Sequence, residues 1–248
     1  MTMGSVEVAL GGAKGQEIFR KFGYLGTVGS TPHLVASLAG QLRPWMPLSG
    51  IEIEVVSVDP NDTALGTGAR EVTVQGLDEN FALQITTVAM NGTAPVTTGL
   101  LWTRVWRAFV SKVGTYRGSN AGTIDISDTE STPNQILDIP ADHGQTLTTH
   151  YTVPAGKTFL IYDYIIAPEA TKSVHFEFLF APGASDVTAP YPGAQRTLFN
   201  YDGVSSIIHG HFDFPFIIPE FSDVWSTASI AQGNATIFFE YSGLLIDD

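Results

Sequence analysis

The sequence predicts an all-β protein, a β-sandwich or jelly-roll-like fold with an irregular N-terminal segment. Alternation carries the reading. Ile51, Ile53 and Val55 face away from Glu52 and Glu54, and Val174, Phe176, Phe178 and Phe180 face away from Ser173, His175 and Glu177. A period of two is that of a strand with one buried face. Turn residues supply the second observation: apolar runs across residues 69–110 are broken at Leu77-Asp78-Glu79-Asn80 and at Asn91-Gly92. The third is that heptads, internal repeats and Glu/Lys-rich helical stretches do not occur.

Composition narrows the class. With 248 residues, 44% apolar and only 15% charged, the chain is globular and long enough for one large β-domain or two smaller ones. So low a charge fraction fits a surface covered by other subunits, or a Thr/Ser-rich β-surface. A net charge of −13 with no basic run argues against nucleic acid and favours a basic protein surface as partner. The absence of Cys removes disulfides, thiolate catalysis and Cys-based zinc sites. The N-terminus has no charged start before an apolar core, so no signal peptide is expected, and no apolar run reaches the length of a membrane span.

Along the chain, residues 1–50 form the irregular segment, an arm for a neighbouring subunit or a cover over the β-core. Residues 17–25 read as one or two helical turns, limited by Gly23 and Gly26, and Trp45 and Met46 lie between Pro44 and Pro47. Residues 51–114 read as a first β-subdomain. In it, residues 51–58 form a half-buried strand, Asp59-Pro60-Asn61-Asp62 a turn, residues 69–110 a three-stranded meander, and residues 100–110 one long strand. The polar, Gly-rich residues 111–122 mark a boundary, and residues 115–248 read as a jelly-roll-like sandwich. It would hold a strand at 123–127, an acidic loop at 128–134, and a hairpin of 145–153 with 157–166 about Pro154-Ala155-Gly156. Further strands are expected at 172–180, 204–212, 223–231 and 235–246, with a Pro/Gly loop at 183–193 and a turn at Gly233-Asn234.

A resemblance accompanies these elements. Its motifs are Lys21-Phe22-Gly23, Gly26-Thr27-Val28-Gly29, the run from Ala69-Arg70-Glu71-Val72 to Gly76-Leu77-Asp78, and Asn91-Gly92-Thr93. They continue with Val105-Trp106-Arg107-Ala108-Phe109-Val110, Asn120-Ala121-Gly122-Thr123-Ile124, Gly144-Gln145-Thr146, Tyr151-Thr152-Val153-Pro154-Ala155-Gly156-Lys157-Thr158, Pro219-Glu220-Phe221-Ser222-Asp223 and Leu244-Leu245-Ile246-Asp247. Taken in order over most of the chain, they resemble a family of structural proteins of tailed-bacteriophage virions, although Phe221 stands where that family more often has a basic residue. The resemblance implies a virion component assembled in the host cytoplasm, in a capsid-decorating or tail-associated position.

The search for chemistry finds few candidates. His209, Gly210, His211 and Asp213 place two imidazoles and a carboxylate on one strand face, a weak metal set or a polar patch. Asp59 with Asn61 and Asp62, or Asp125 with Asp128 and Glu130, supply oxygens for calcium or simply form turns. Arg104 between Trp102 and Trp106 reads as a structural cation–π contact or a ligand cradle. No nucleophile elbow, phosphate loop or dinucleotide fingerprint occurs, so no enzyme and no cofactor are expected. The leading expectation is a capsid decoration or cement subunit, a homo-oligomer (a trimer at threefold sites) bound to the major capsid protein or other virion proteins. The alternative is a tail or appendage module that binds host glycans. Trp45, Met46, Tyr191 and Trp225 are the candidate interaction residues.

Overall fold

The computed structural model describes residues 13–47, 49–116, 118–130, 132–169, 173–184, 194–233 and 235–248. Among these no residue is helical, and the protein is all-β. The strands are β1 (Gln16–Val28), β2 (His33–Leu34), β3 (Ile51–Ser57), β4 (Ala69–Leu77), β5 (Leu83–Ala89), β6 (Val96–Trp102), β7 (Arg104–Val113) and β8 (Ile124–Asp128). They continue with β9 (Gln135–Ile139), β10 (Tyr151–Thr152), β11 (Lys157–Glu169), β12 (Val174–Ala181), β13 (Arg196–Val204), β14 (Ile208–Ile218), β15 (Asp223–Ile230) and β16 (Ala235–Asp247).

The chain divides into two compact units, one holding β1, β2 and β10 to β16, the other β3 to β9. In the first, one sheet runs β1-β16-β11-β14 and the other β10-β15-β12-β13, with β2 added beside β15. Counting β1 and then β10 to β16 as one to eight, these orders read 1-8-3-6 and 2-7-4-5. That is the strand order of a jelly roll, an eight-stranded fold of two Greek keys. The second unit lies in sequence between its first and second strands. It has a sheet β6-β3-β8-β9 and a sheet β5-β4-β7, and all its recorded pairings are antiparallel.

Aromatic rings fill the jelly-roll core. Phe176 and Phe178 of β12 lie 4.6 and 5.2 Å from Phe239 of β16, and Phe178 lies 4.9 Å from Tyr241. Tyr241 is fully buried, yet its hydroxyl donates to the carbonyl of Thr149 at 2.8 Å, so the ring enters the core without an orphaned polar atom. Burial holds the Tyr241 phenol far above its usual pKa, with Tyr151 adding to the effect. In the second unit Ile53, Val55, Val72, Val74, Trp102, Val105, Ile124 and Ile126 form a largely aliphatic core around the Trp102 ring, with partly buried Trp45 packed against it.

Several expectations need correction. Residues 16–28 are neither helical nor irregular; they are the first jelly-roll strand, in register with β16 from Gln16↔Ile246 to Leu25↔Ile237. Gly23, read as a helix breaker, is required because a Cβ there would lie 2.3 Å from the Val35 carbonyl oxygen and 2.7 Å from Thr149. The boundary expected within residues 111–122 falls instead near residue 148, because β8 and β9 complete the sheet begun by β3 and β6. Pro154-Ala155-Gly156 is a turn, with Gly156 at φ 69°, but it closes no hairpin: β10 pairs with β15, and β11 with β14 and β16. Residues 100–110 break at Thr103 into β6 and β7, which belong to different sheets, and residues 204–212 span the end of β13 and the start of β14.

Alternation at residues 174–180 places Val174, Phe176 and Phe178 in the core as the pattern requires, while Phe180 is only partly buried and lies under the Arg196 guanidinium, 5.7 Å away. Phe178→Ala should therefore cost about 3–5 kcal/mol in chemical denaturation, the range for truncating a buried aromatic ring. A chain starting at Ser49 lacks β1, which covers one edge of β16, and should not give a soluble folded jelly roll; circular dichroism and size-exclusion chromatography check this.

Candidate functional site

Three groups of polar side chains stand out. The first lines an open depression of about 360 Å³ on the β1-β16-β11-β14 sheet, formed by Arg20, Asp163, Tyr164, Ile165, His209, Gly210, His211, Glu240, Tyr241 and Ser242. Register brings these residues together: Asp163 lies opposite His211 and Ser242, and Ser242 opposite Arg20. The charges meet in pairs, His211 Nδ1 with Asp163 Oδ1 at 2.6 Å and Arg20 Nε with Glu240 Oε1 at 2.7 Å. His209 and His211 share a face, as their spacing predicts, and both are exposed. Gly210 between them accommodates Tyr164, since a Cβ would overlap that ring at 1.9 Å. The Tyr164 hydroxyl meets that of Tyr201 at 2.5 Å, and burial together with this contact raises its pKa.

Asp213 lies in a bulge of β14. Four residues, 212 to 215, separate the partners of Asp163 and Ile161, whereas Tyr162 alone separates Asp163 from Ile161. Among the described residues no group of three or more His, Asp or Glu is placed to hold a metal ion. His211 is engaged by Asp163, which no motif in the chain marks out.

A second group looks catalytic by residue type. Thr152, His150 and Asp223 are all buried, with Thr152 Oγ1 donating to Asp223 Oδ1 at 2.5 Å. His150 Nε2 lies 3.3 Å from the Thr152 hydroxyl and 3.4 Å from the same carboxylate oxygen. A triad needs the two ring nitrogens to face different partners, the base nitrogen on the nucleophile and the other on the acid. Here one nitrogen faces both, the hydroxyl donates directly to the acid, and all three are shielded from solvent. The cluster fastens β10 to β15.

The third group comprises the acidic loops. Asp62 is fully buried; its Oδ1 accepts from the amides of Ala69 (2.7 Å) and Ala121 (2.8 Å), and its Oδ2 from Ser57 Oγ (2.6 Å) and Gly122 N (2.9 Å). Asn120 donates through Nδ2 to the carbonyls of Gly122, Ile139 and Pro140 and accepts at Oδ1 from Gly144 N. Asp128 accepts from Asn134 N at 2.8 Å and Asn134 Nδ2 at 2.7 Å, and Asp59 accepts from Asn61 N at 2.8 Å. The carboxylate oxygens of Asp59, Asp62 and Asp128, candidate calcium ligands by residue type, hold their loops closed.

The candidate contact residues fare differently. Trp225 is buried within β15 and belongs to the core. Trp45 is half-buried against the core of its own unit, and Met46 is half-buried beside it. Tyr191 lies outside the described residues. Trp102, Arg104 and Trp106 are all buried, with the Arg104 guanidinium 5.5 Å from the Phe81 ring and Nη1 donating to the Thr103 carbonyl at 2.7 Å. They form no open cradle.

No protein-family model matches the chain, and no curated protein does. Among solved structures, the chain is similar to that of infectious bursal disease virus Gt strain, at 12% identity over 93% of this chain and 70% of that one, with a TM-score of 0.24. A second similarity is to a T13 particle of the same virus, at 11% identity over 94% of this chain and 73% of that one, also with a TM-score of 0.24. Both scores fall below those of chains that share a fold.

Two outcomes follow from the acidic groups. Asp62→Ala should lower stability by about 3–5 kcal/mol, because three backbone amides lose a charge-assisted acceptor; urea denaturation measures it. Asp125 and Asp138 lie opposite each other on β8 and β9, and each carboxyl is raised above its usual range, chiefly by desolvation and for Asp125 also by Asp138. A raised folded pKa means the folded state holds the proton more tightly. Stability is therefore lost as pH rises through the folded value and regained as pH falls towards the unfolded one. Asp125→Asn should raise the neutral-pH thermal midpoint, by at most about 1 kcal/mol equivalent since both groups are half-exposed, and the gain should vanish on acidification.

Proposed function

We propose that the chain is a non-enzymatic structural subunit of a tailed-phage virion, a decoration or cement subunit bound to the capsid. The jelly-roll strand order carries this reading: it is an architecture that viral shells use, as do lectins. Fold alone assigns no function. The side-chain chemistry narrows the choice, since the buried carboxylates and the buried imidazole are engaged in holding loops and strands together. Of the tryptophans considered as contact residues, Trp225 is buried and Trp45 half-buried.

Such a subunit would stabilise a shell by burying surface across boundaries between its building blocks. The partner would be the major capsid protein or another virion protein, offering basic surface to a chain of net charge −13. A symmetric homo-oligomer, a trimer at threefold positions, suits that role. Quantitative mass spectrometry of purified particles is the test. The expected result is a copy number comparable to that of the main shell protein, and absence of the chain from particles would overturn the reading.

A further inference from the structure

Edge strands of a sheet are ready-made sites for pairing with another chain, and proteins blunt them with bulges, charges, prolines or brevity. Among the described strands, eight of the nine edge strands are blunted in this way. β1, β6, β7, β9, β13 and β14 each carry at least one register shift against their neighbour, and β2 and β10 have only two residues each. β5 is the exception. It pairs with β4 alone, residue for residue from Leu77↔Leu83 to Glu71↔Ala89, with no shift.

The sequence of β5 offers no protection either. It reads Leu-Gln-Ile-Thr-Thr-Val-Ala, and no charged residue or His occurs from Phe81 to Thr103. Leu83 and Ile85 are 60% and 53% exposed, and Leu100 and Leu101 of β6 are also exposed. Met90 N donates to the Arg70 carbonyl and Asp78 N to the Ala82 carbonyl, so bonding to β4 alternates from those ends. That alternation turns the N–H and C=O groups of Leu83, Ile85, Thr87 and Ala89 to the open edge.

We propose that β5 is a self-association edge, pairing antiparallel with β5 of a second copy of this chain across a twofold axis. Charge selects that occupant. Two chains of net charge −13 repel wherever their acidic faces meet, and a neutral segment lets them approach. A basic partner gains nothing from a neutral strand and would seat elsewhere. Antiparallel self-pairing is isologous, so each apolar side chain of one copy meets the same strand of the other. A contact of this kind makes a dimer, or joins two larger oligomers, and does not itself build a threefold. It stands apart from the virion reading, because a chain absent from particles would still self-pair.

Sedimentation of the full chain over a range of concentrations tests the proposal. The wild type should associate reversibly, Ile85→Lys should weaken that association about tenfold or more, and Ile217→Lys, at an exposed position on β14, should leave it unchanged. Amide exchange of the wild type provides an independent reading: Leu83, Ile85, Thr87 and Ala89 should gain protection as concentration rises. A wild type that stays monomeric, an association indifferent to Ile85→Lys, or unchanged exchange at those four amides would each overturn the proposal.

Discussion

The carboxylate of Asp62 ties together segments that are far apart in the sequence. It holds Ser57 at the end of β3, Ala69 at the start of β4, and Ala121 and Gly122 ahead of β8, while its own carbonyl accepts from Gly92 between β5 and β6. A buried anion in this position is tolerated only because backbone amides surround it and supply charge-assisted hydrogen bonds. The loops that reach it are thereby fixed, and with them the register in which β3, β4 and β8 enter their sheets. Asn120 works in the same way, bonding the carbonyls of Ile139 at the end of β9 and Pro140 just beyond it, and the amide of Gly144.

The jelly roll is held differently. Its centre is a stack of rings contributed by β11, β12 and β16, and its polar fasteners sit at the edges of that stack. Thr149 joins Ser226 and Tyr241, and Thr152 joins Asp223. In both units polar side chains fasten strands and loops to one another. Among the described residues, the buried carboxylates of Asp62, Asp128 and Asp223 are hydrogen-bonded within the fold.

Period-two alternation located the cores of β3 and β12, and turn residues placed the ends of β4 and β5. It failed where sheets changed. Two extended segments joined by Pro154-Ala155-Gly156 look identical in sequence whether they pair with each other or with distant strands, and pairing partners more than 60 residues away decided the matter. Gly23 misled for the same reason: it serves close approach by Val35, a contact that local sequence does not reveal. The candidate residues split along this line: the shared face of His209 and His211 follows from spacing alone, whereas the burial of Trp225 and the pairing of His211 with Asp163 depend on neighbouring strands.

If polar side chains fasten this fold, the amides they hold must be among the last to open. Native-state hydrogen exchange of Ala69, Ala121 and Gly122, the three amides that donate to Asp62, tests this most directly. The account predicts that all three, although they lie outside the middles of strands, exchange only through global unfolding, with the free energy of the core amides of Val72 and Ile126. Exchange through local fluctuations at markedly lower free energy would contradict it, showing that these loops fray independently and that the carboxylate merely occupies space between them.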